Sequence, residues 1–160
     1  MKIIKTRRGE EIKVDDADFE ELSVFTWSIS SRGYARRNVR SNRKNGVEYM
    51  HRRLMWLTPG GKVEVDHING DRLDNRRENM RLCTRQQNLW NRGRLSTNTS
   101  GFKGVTRASY GSRWVAQIDA HGKHYYIGTY DTPEEAHLAY CSKARQFFGE
   151  FAYPSAQTSV

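Results

Sequence analysis

The stretch VDHINGDRLDNRRENMRLCTRQQN, Val65 to Asn88, sets an adjacent carboxylate and imidazole, Asp66 and His67, ahead of two spaced amides, Asn79 and Asn88. Metal-assisted cleavage of a phosphodiester needs such residues: oxygen ligands for a hard divalent ion, a base to activate water, and a frame that aligns both with the phosphate. Adjacent strand residues point to opposite faces, but at a strand end leading into the Asn69-Gly70 turn Asp66 and His67 can reach one site. Asn88, in a following helix, can bring its amide oxygen back to share the ion with Asp66; Asn91 is an alternative ligand that the spacing leaves open. Asn79, just before a return strand, is placed to hydrogen-bond across the hairpin and hold the His67 imidazole in one orientation. Arg72, Arg76, Arg77, Arg81 and Arg85 surround these groups, either as contacts to a phosphate backbone or as a solvated face. His51, in MHRR, reads as a phosphate contact or a packed strand residue, while His121, His124 and His137 show no ligand spacing.

The elements that must position these groups are legible as a strand, a loop, a strand and a helix. VEVDHI reads as the first strand, NGDRLDNRRE as the loop and NMRLC as the return. Thr84 with Gln87 three residues on forms a capping box for a helix through Asn88 to about Asn91. Such a ββα unit is too small to bury a core by itself. Ahead of it, WSISSRGYARRNVR and VEYMHRRLMWL have strand-like spacing with SNRKNG between them as a hairpin turn. From Arg32 to Arg53 there are eight Lys or Arg and one acid, Glu48, so this β-rich module carries a basic ribbon in which Arg36, Arg37, Arg40, Arg52 and Arg53 are candidate DNA contacts.

After the polar stretch LSTNTSG come three more strand candidates, GFKGVTRA, SRWVAQIDA and KHYYIGTY. The helix TPEEAHLAYCSKARQFFGE follows, with Thr132 and Glu135 as a capping box, Pro133 at the first helical position and Gly149 as the stop. Ala136, Ala139, Tyr140, Lys143 and Phe147 fall on one helical face. The expected fold class is α+β, a small modular protein: a β-rich N-terminal module (1–58), a central ββα motif (59–94), a linker (95–100) and a three-stranded antiparallel sheet packed on one helix (101–153).

Composition bounds the partner. The 160 residues hold 27 Lys and Arg against 18 Asp and Glu, a net charge of +9, and the isoelectric point is near 9.8, which suits a polyanion. Hydrophobic residues at 36% and aromatics at 11% argue for folded modules rather than a basic tail. Cys83 and Cys141 stand far apart, so neither a zinc ribbon nor a disulfide framework can be built from them, and a reducing compartment is expected. No apolar run approaches a membrane span and the start lacks a signal-peptide core, so residence is expected in the cytoplasm.

The central stretch resembles the HNH nucleases of the ββα-metal type, in which an Asp-His pair ends the first strand, a central Asn follows and a last Asn or His lies in the helix. Asp66, His67, Asn79 and Asn88 occupy those positions. DHINGDRLDNRRENMRLCT is especially similar to the branch found in phage and intron-associated homing endonucleases, and the likeness continues upstream through HRRLMWL. The resemblance implies that His67 is the general base, that Asp66 and Asn88 hold one divalent metal ion, Mg²⁺ or Mn²⁺ and not zinc, and that the products carry 5′-phosphate and 3′-hydroxyl ends.

FKGVTRASYGSRWVAQIDAHGKHYYIGTYDTPEEAHLAY resembles the plant APETALA2/ethylene-response-factor DNA-binding domain, which has three strands and one helix. By position the DNA contacts would come from Lys103, Thr106, Tyr110, Gln117, His124 and Tyr126, with Arg107 and Arg113 added by charge; Trp114 is either a DNA contact or core. Ala108 and Asp119 stand where the plant domains have basic residues, and the loop before Trp114 is one residue longer, so the plant target sequence need not be kept. The whole reads as a site-specific endonuclease, a homing enzyme that nicks double-stranded DNA as a monomer without a membrane partner. The competing reading is a non-catalytic, sequence-specific DNA-binding regulator. About eight phosphate contacts would give a log-log salt slope near −7.

Overall fold

Ile4, Ile12 and Val14 alternate with exposed or half-buried Lys and Glu side chains, the period-two pattern of strands with one face on a core. They belong to β1 (Lys2–Lys5) and β2 (Glu11–Val14), an antiparallel hairpin. The computed structural model describes residues 1–41, 44–58, 61–94 and 96–153, with Ser41 and Lys44 described by backbone alone. Those residues form two units, one spanning Met1–Asn88 and the other beginning at Leu89.

In the first unit, β2 leads into α1 (Asp16–Ser23), whose first turn carries Asp16 and Asp18, acids that suit the positive end of a helix dipole. Then come β3 (Ser28–Ile29), β4 (Ala35–Ser41) and β5 (Lys44–Tyr49), a sheet in the order β3-β4-β5. The expected hairpin is present, but Asn45 and Gly46 lie inside β5, opposite Arg40 and Val39; Asn42 and Arg43, from the expected turn, lie outside the described residues. MHRRL, expected to continue as strand, is instead the helix α2 (Met50–Leu54), with Met50, His51 and Leu54 buried. Its buried positions recur at helical spacing, and that register wins over β propensity.

The ββα unit follows: β6 (Glu64–His67) pairs antiparallel with β7 (Met80–Cys83), after a 3-10 turn at Arg77–Asn79, and α3 (Arg85–Asn91) comes next. Its capping box forms, the Gln87 amide N–H donating to Thr84 Oγ1 at 3.3 Å and the Thr84 N–H to Gln87 Oε1 at 2.8 Å. Residues 1–58 and the ββα unit share one core, in which Ile12, Val14, Leu22, Trp27, Met50 and Leu54 cluster with Val65 and Met80. A thirty-residue motif lacks the apolar surface to stand alone, and the N-terminal elements supply it.

The second unit contains β8 (Val105–Arg107), β9 (Trp114–Ala120) and β10 (Lys123–Tyr130), ordered β10-β9-β8 and antiparallel throughout, followed by α4 (Pro133–Phe148). Both hydrogen bonds of the Thr132–Glu135 capping box are present and Gly149, at φ 54°, ends the helix. The buried face of α4 is Ala136, Tyr140, Cys141, Ala144 and Phe148; Lys143 and Phe147 sit at its edge, half-buried. Gly104 has φ +75°, and a Cβ there would lie 2.0 Å from the Tyr140 ring, so neither its backbone nor its space admits a side chain. The end of α3 joins this unit, where Trp90 stacks on Phe148 at 4.5 Å. No helix among the described residues is long and apolar enough to cross a membrane.

Candidate active site

β6 sets out the chemistry by alternation. Glu64 and Asp66 share one face of β6 and Val65 the other, while His67 ends the strand and opens the turn in which Gly70 N–H donates to its carbonyl at 2.8 Å. Asp66 stands opposite Arg81 in the β6–β7 register, and its Oδ2 accepts from Arg81 Nε at 2.9 Å and Nη2 at 2.7 Å. Asn88 reaches the same face from α3: its Nδ2 donates to Glu64 Oε2 at 2.7 Å, which leaves the oxygen as the end of that amide suited to a cation. Carboxylate and amide oxygens are the hard donor types that a divalent ion such as Mg²⁺ takes alongside water. Among the described residues no group of three or more His, Cys, Asp or Glu side chains is placed to hold a metal. Asn91, the alternative by spacing, is buried.

His67 closes the strand and is only 4% exposed. Tyr34 lies 5.9 Å from its ring, and His51 lies 5.4 Å away, edge-on at 78°. Its Nε2 is 3.5 Å from Asn75 Oδ1. Burial lowers the His67 pKa, against the opposing pull of the Asn75 hydrogen bond and the Asp66 charge, so the ring is held in the neutral form that a base requires.

Asn79 does not hold the imidazole in the way its spacing suggested. Its Oδ1 accepts from the Asn69 backbone N–H at 3.0 Å and its Nδ2 donates to the Asp74 carbonyl at 2.8 Å, so it closes the loop between β6 and β7. That loop is a run of side-chain-to-backbone turns: Asn69 Oδ1 accepts from Asp71 N at 2.8 Å and Asp71 Oδ1 from Leu73 N at 3.0 Å. Asp74 and Asn75 are fully buried in it. Hydrogen bonds from Arg76 hold the Asp74 carboxyl below the usual range. Lys13 of β2 exchanges backbone hydrogen bonds with the loop, donating to the Leu73 carbonyl at 2.9 Å and accepting from Asn75 N at 2.8 Å. The NGDRLDN spacing of Asn and Asp is the sequence signal for these turns; the pairing with β2 has no local signal.

Most arginines assigned to DNA by charge are bonded within the unit. Arg76 holds Asp74 at 2.7 Å, and also pairs with Glu78. Arg77 forks onto Asp18 at 2.8 and 3.0 Å. Arg72 donates to the Arg32 carbonyl and lies over the Tyr34 ring at 4.8 Å. Arg37 pairs with Glu48 and lies 3.6 Å above the Phe25 ring; Arg53 bridges Glu21 and Glu48. Arg52 braces a turn through the Thr58 and Val63 carbonyls at 2.6 and 3.2 Å. Arg40 and Arg85 are exposed, and Arg36 is half-buried with its Nε enclosed and without a hydrogen-bond partner among the described residues.

In the second unit, register sorts the candidates. Trp114, Ala116, Ile118 and Ala120 alternate towards the α4 core, so Trp114 is a partly buried core residue. Gln117 stands opposite Tyr126, Asp119 opposite His124 and Thr106 opposite Val115, which puts Thr106, Gln117, His124 and Tyr126 on the other face. Tyr126 and His124 are exposed; the Tyr126 hydroxyl hydrogen-bonds Thr129 at 2.7 Å and His124 Nδ1 contacts Asp119 at 2.7 Å. Tyr110 is 93% exposed. Arg107 pairs with Trp114 and so belongs to the helix side, though exposed at the sheet edge, and Arg113 bonds Asp131 at 3.1 Å. Lys103 leaves the DNA-facing set, because its ammonium donates to the Trp90 and Arg92 carbonyls at 2.6 Å each. Burial pushes its pKa down to about 8.

Residues 48–89 match the sequence profile of the HNH endonuclease family and residues 100–150 that of the AP2 domain. An uncharacterized HNH endonuclease of Acanthamoeba polyphaga mimivirus is 30% identical over 138 residues, which cover 84% of this chain and 68% of that protein. Protein 3.8 of Escherichia phage T7 is 32% identical over 102 residues, 61% of this chain and 84% of that protein. Dehydration-responsive element-binding protein 2D of Arabidopsis thaliana is 43% identical over 54 residues, 32% of this chain and 26% of that protein. No solved structure matches the chain significantly. The ββα fold, the Asp66, His67, Asn79 and Asn88 set within the matched segment and a viral relative aligned over most of both chains lead to one statement: the chain belongs to the HNH endonuclease family and carries an AP2 domain after its nuclease motif.

Proposed function

We propose that the protein is a site-specific DNA endonuclease of the homing type, which acts as a monomer and nicks double-stranded DNA by metal-assisted hydrolysis. The observation that carries this reading is the approach of Asn88 to the carboxylate face of β6, through its 2.7 Å bond to Glu64, beside Asp66. Asp66 and Asn88 would hold one divalent ion, Mg²⁺ or Mn²⁺, with Arg81 sharing the Asp66 carboxylate. Such an ion, when bound, stabilises charge that develops on the phosphate and on the leaving 3′ oxygen.

His67, neutral through burial, takes a proton from water as the water attacks phosphorus, and the cut leaves 5′-phosphate and 3′-hydroxyl ends. Asn79 and the buried Asp74 keep the loop after His67 rigid, which fixes where the ring points. Thr106, Gln117, His124 and Tyr126 of the AP2 sheet read DNA, as a twisted antiparallel sheet does in the major groove; the exposed Arg40 and Arg85 contact the backbone.

Supercoiled plasmid carrying the target, incubated with Mg²⁺, Mn²⁺ or EDTA and then mapped for the break, tests the reading. Wild type should nick one strand only when the ion is present, and His67→Ala should bind the target normally while nicking about 10²- to 10⁴-fold more slowly. Binding with no cleavage under any of these ions would leave a DNA-binding regulator in its place.

A further inference from the structure

His51 lies outside the Asp66, His67, Asn79 and Asn88 set, sixteen residues before His67 in the chain, yet it forms a wall of the His67 pocket. From α2 its ring meets His67 edge-on at 5.4 Å, with Tyr34 at 4.9 Å and Tyr49 at 5.6 Å around it. It is 8% exposed, and its Nδ1 is buried without a hydrogen-bond partner among the described residues. A neutral imidazole carries one donor and one acceptor, and an unmatched buried nitrogen costs free energy that a phenyl ring in the same place would not. Packing alone therefore does not account for a histidine here. Unsatisfied buried polar atoms of this kind mark a strained or catalytic position or a bound water. Nδ1 is too enclosed for a DNA phosphate to reach, and its unmet hydrogen-bonding capacity suits a single water.

We propose that His51 is a positioning residue for DNA cleavage: it fixes the plane of the His67 ring and, through Nδ1, holds an ordered water beside that ring. The inference rests on the reading of His67 as general base. Burial pushes the His51 pKa down to about 3, with the neighbouring His67 adding to the fall, so the ring is neutral and its free nitrogen accepts a hydrogen bond from the water.

His51→Phe keeps an aromatic edge against His67 and removes both nitrogens. Measured under single turnover with saturating target and Mg²⁺, its nicking rate should fall about 10- to 100-fold, with target Kd within about twofold of wild type and a melting midpoint no lower than that of wild type. Free imidazole added to a His51→Gly variant should restore part of the rate, which a purely structural loss would not allow. Crystals of the protein-DNA complex should show a water in hydrogen-bond contact with Nδ1. Wild-type nicking by His51→Phe overturns the proposal, as does a parallel fall in rate, affinity and melting midpoint without imidazole rescue. If His51→Phe fails to fold, His51→Gln decides by the same split between rate and affinity. Failure of the underlying reading looks different: wild type itself would not nick, or His67→Ala would nick equally well.

Discussion

The two units use their polar surface in opposite ways. In the first, Arg37, Arg53, Arg76, Arg77 and Arg81 are tied to Glu48, Glu21, Asp74, Asp18 and Asp66, and Asp18, Asp66 and Asp74 are buried. In the second, one side of the sheet packs on α4 while Gln117, His124 and Tyr126 stand on the other. A basic composition thus has two physical meanings. Charge that compensates buried carboxylates holds a small nuclease unit together, and only charge without such a partner is available to a polyanion. The salt dependence of DNA binding should then be shallower than the slope near −7 expected from about eight phosphate contacts.

The sharpest way to break this contrast is acid. The buried His51 ring resists protonation down to about pH 3, against an ordinary value of 6.5. Above pH 6.5 the folded and unfolded chains are both neutral at this site and it contributes no pH dependence. Between 6.5 and 3 the unfolded chain binds a proton that the folded one does not, so stability falls as pH falls through that window. The full loss is about 5 kcal/mol for a shift of this size. Urea titrations at pH 7, 6 and 5 should show the first unit weakening for wild type and less for His51→Phe, in which the buried His67, also lowered by burial, keeps its own share. Equal pH dependence in the two proteins would remove His51 as the cause.

A smaller effect tests the arginines. Arg77→Ala strips the fork from Asp18, whose side chain is 9% exposed; Arg77 itself is 40% exposed, so solvent screening reduces the cost below that of a fully buried pair, to about 2 kcal/mol. The urea midpoint of the first unit should drop while the salt slope of DNA binding stays unchanged. A slope smaller in magnitude by about one would instead make Arg77 a phosphate contact.

The smallest change belongs to the open sheet face. Gln117→Ala should weaken target binding about tenfold, about 1.4 kcal/mol, and relax sequence preference without altering the melting midpoint. Loss of stability with affinity intact would show that this face is structural, and the contrast between the units would fail.

Particular residues show what could be read early. The capped α4 and the three strands before it follow from alternation and from Thr132, Pro133 and Glu135, because caps and strand periodicity are local. Asp66, His67, Asn79 and Asn88 were visible as a spaced set on a strand, loop, strand and helix for the same reason. MHRRL reads as strand by its neighbours but folds as α2, because five residues carry too little periodicity to separate a short helix from a strand. Lys103 looked like a DNA contact because nothing in its neighbourhood shows that its ammonium caps backbone carbonyls at Trp90 and Arg92.

Sequence alone therefore determined the ββα motif with its carboxylate, imidazole and amide side chains, the AP2-like sheet and helix, and the basic character of the chain. Tertiary structure decided which arginines are spent on carboxylates, that the N-terminal strands and the nuclease motif share one core, and that His51 and Tyr34 enclose His67. The reason is range. Strand alternation, caps and turns act over a few residues, whereas Arg77 meets Asp18 across 59 positions and Lys13 meets Asp71 across 58, and such pairings exist only once a common core has brought distant segments together.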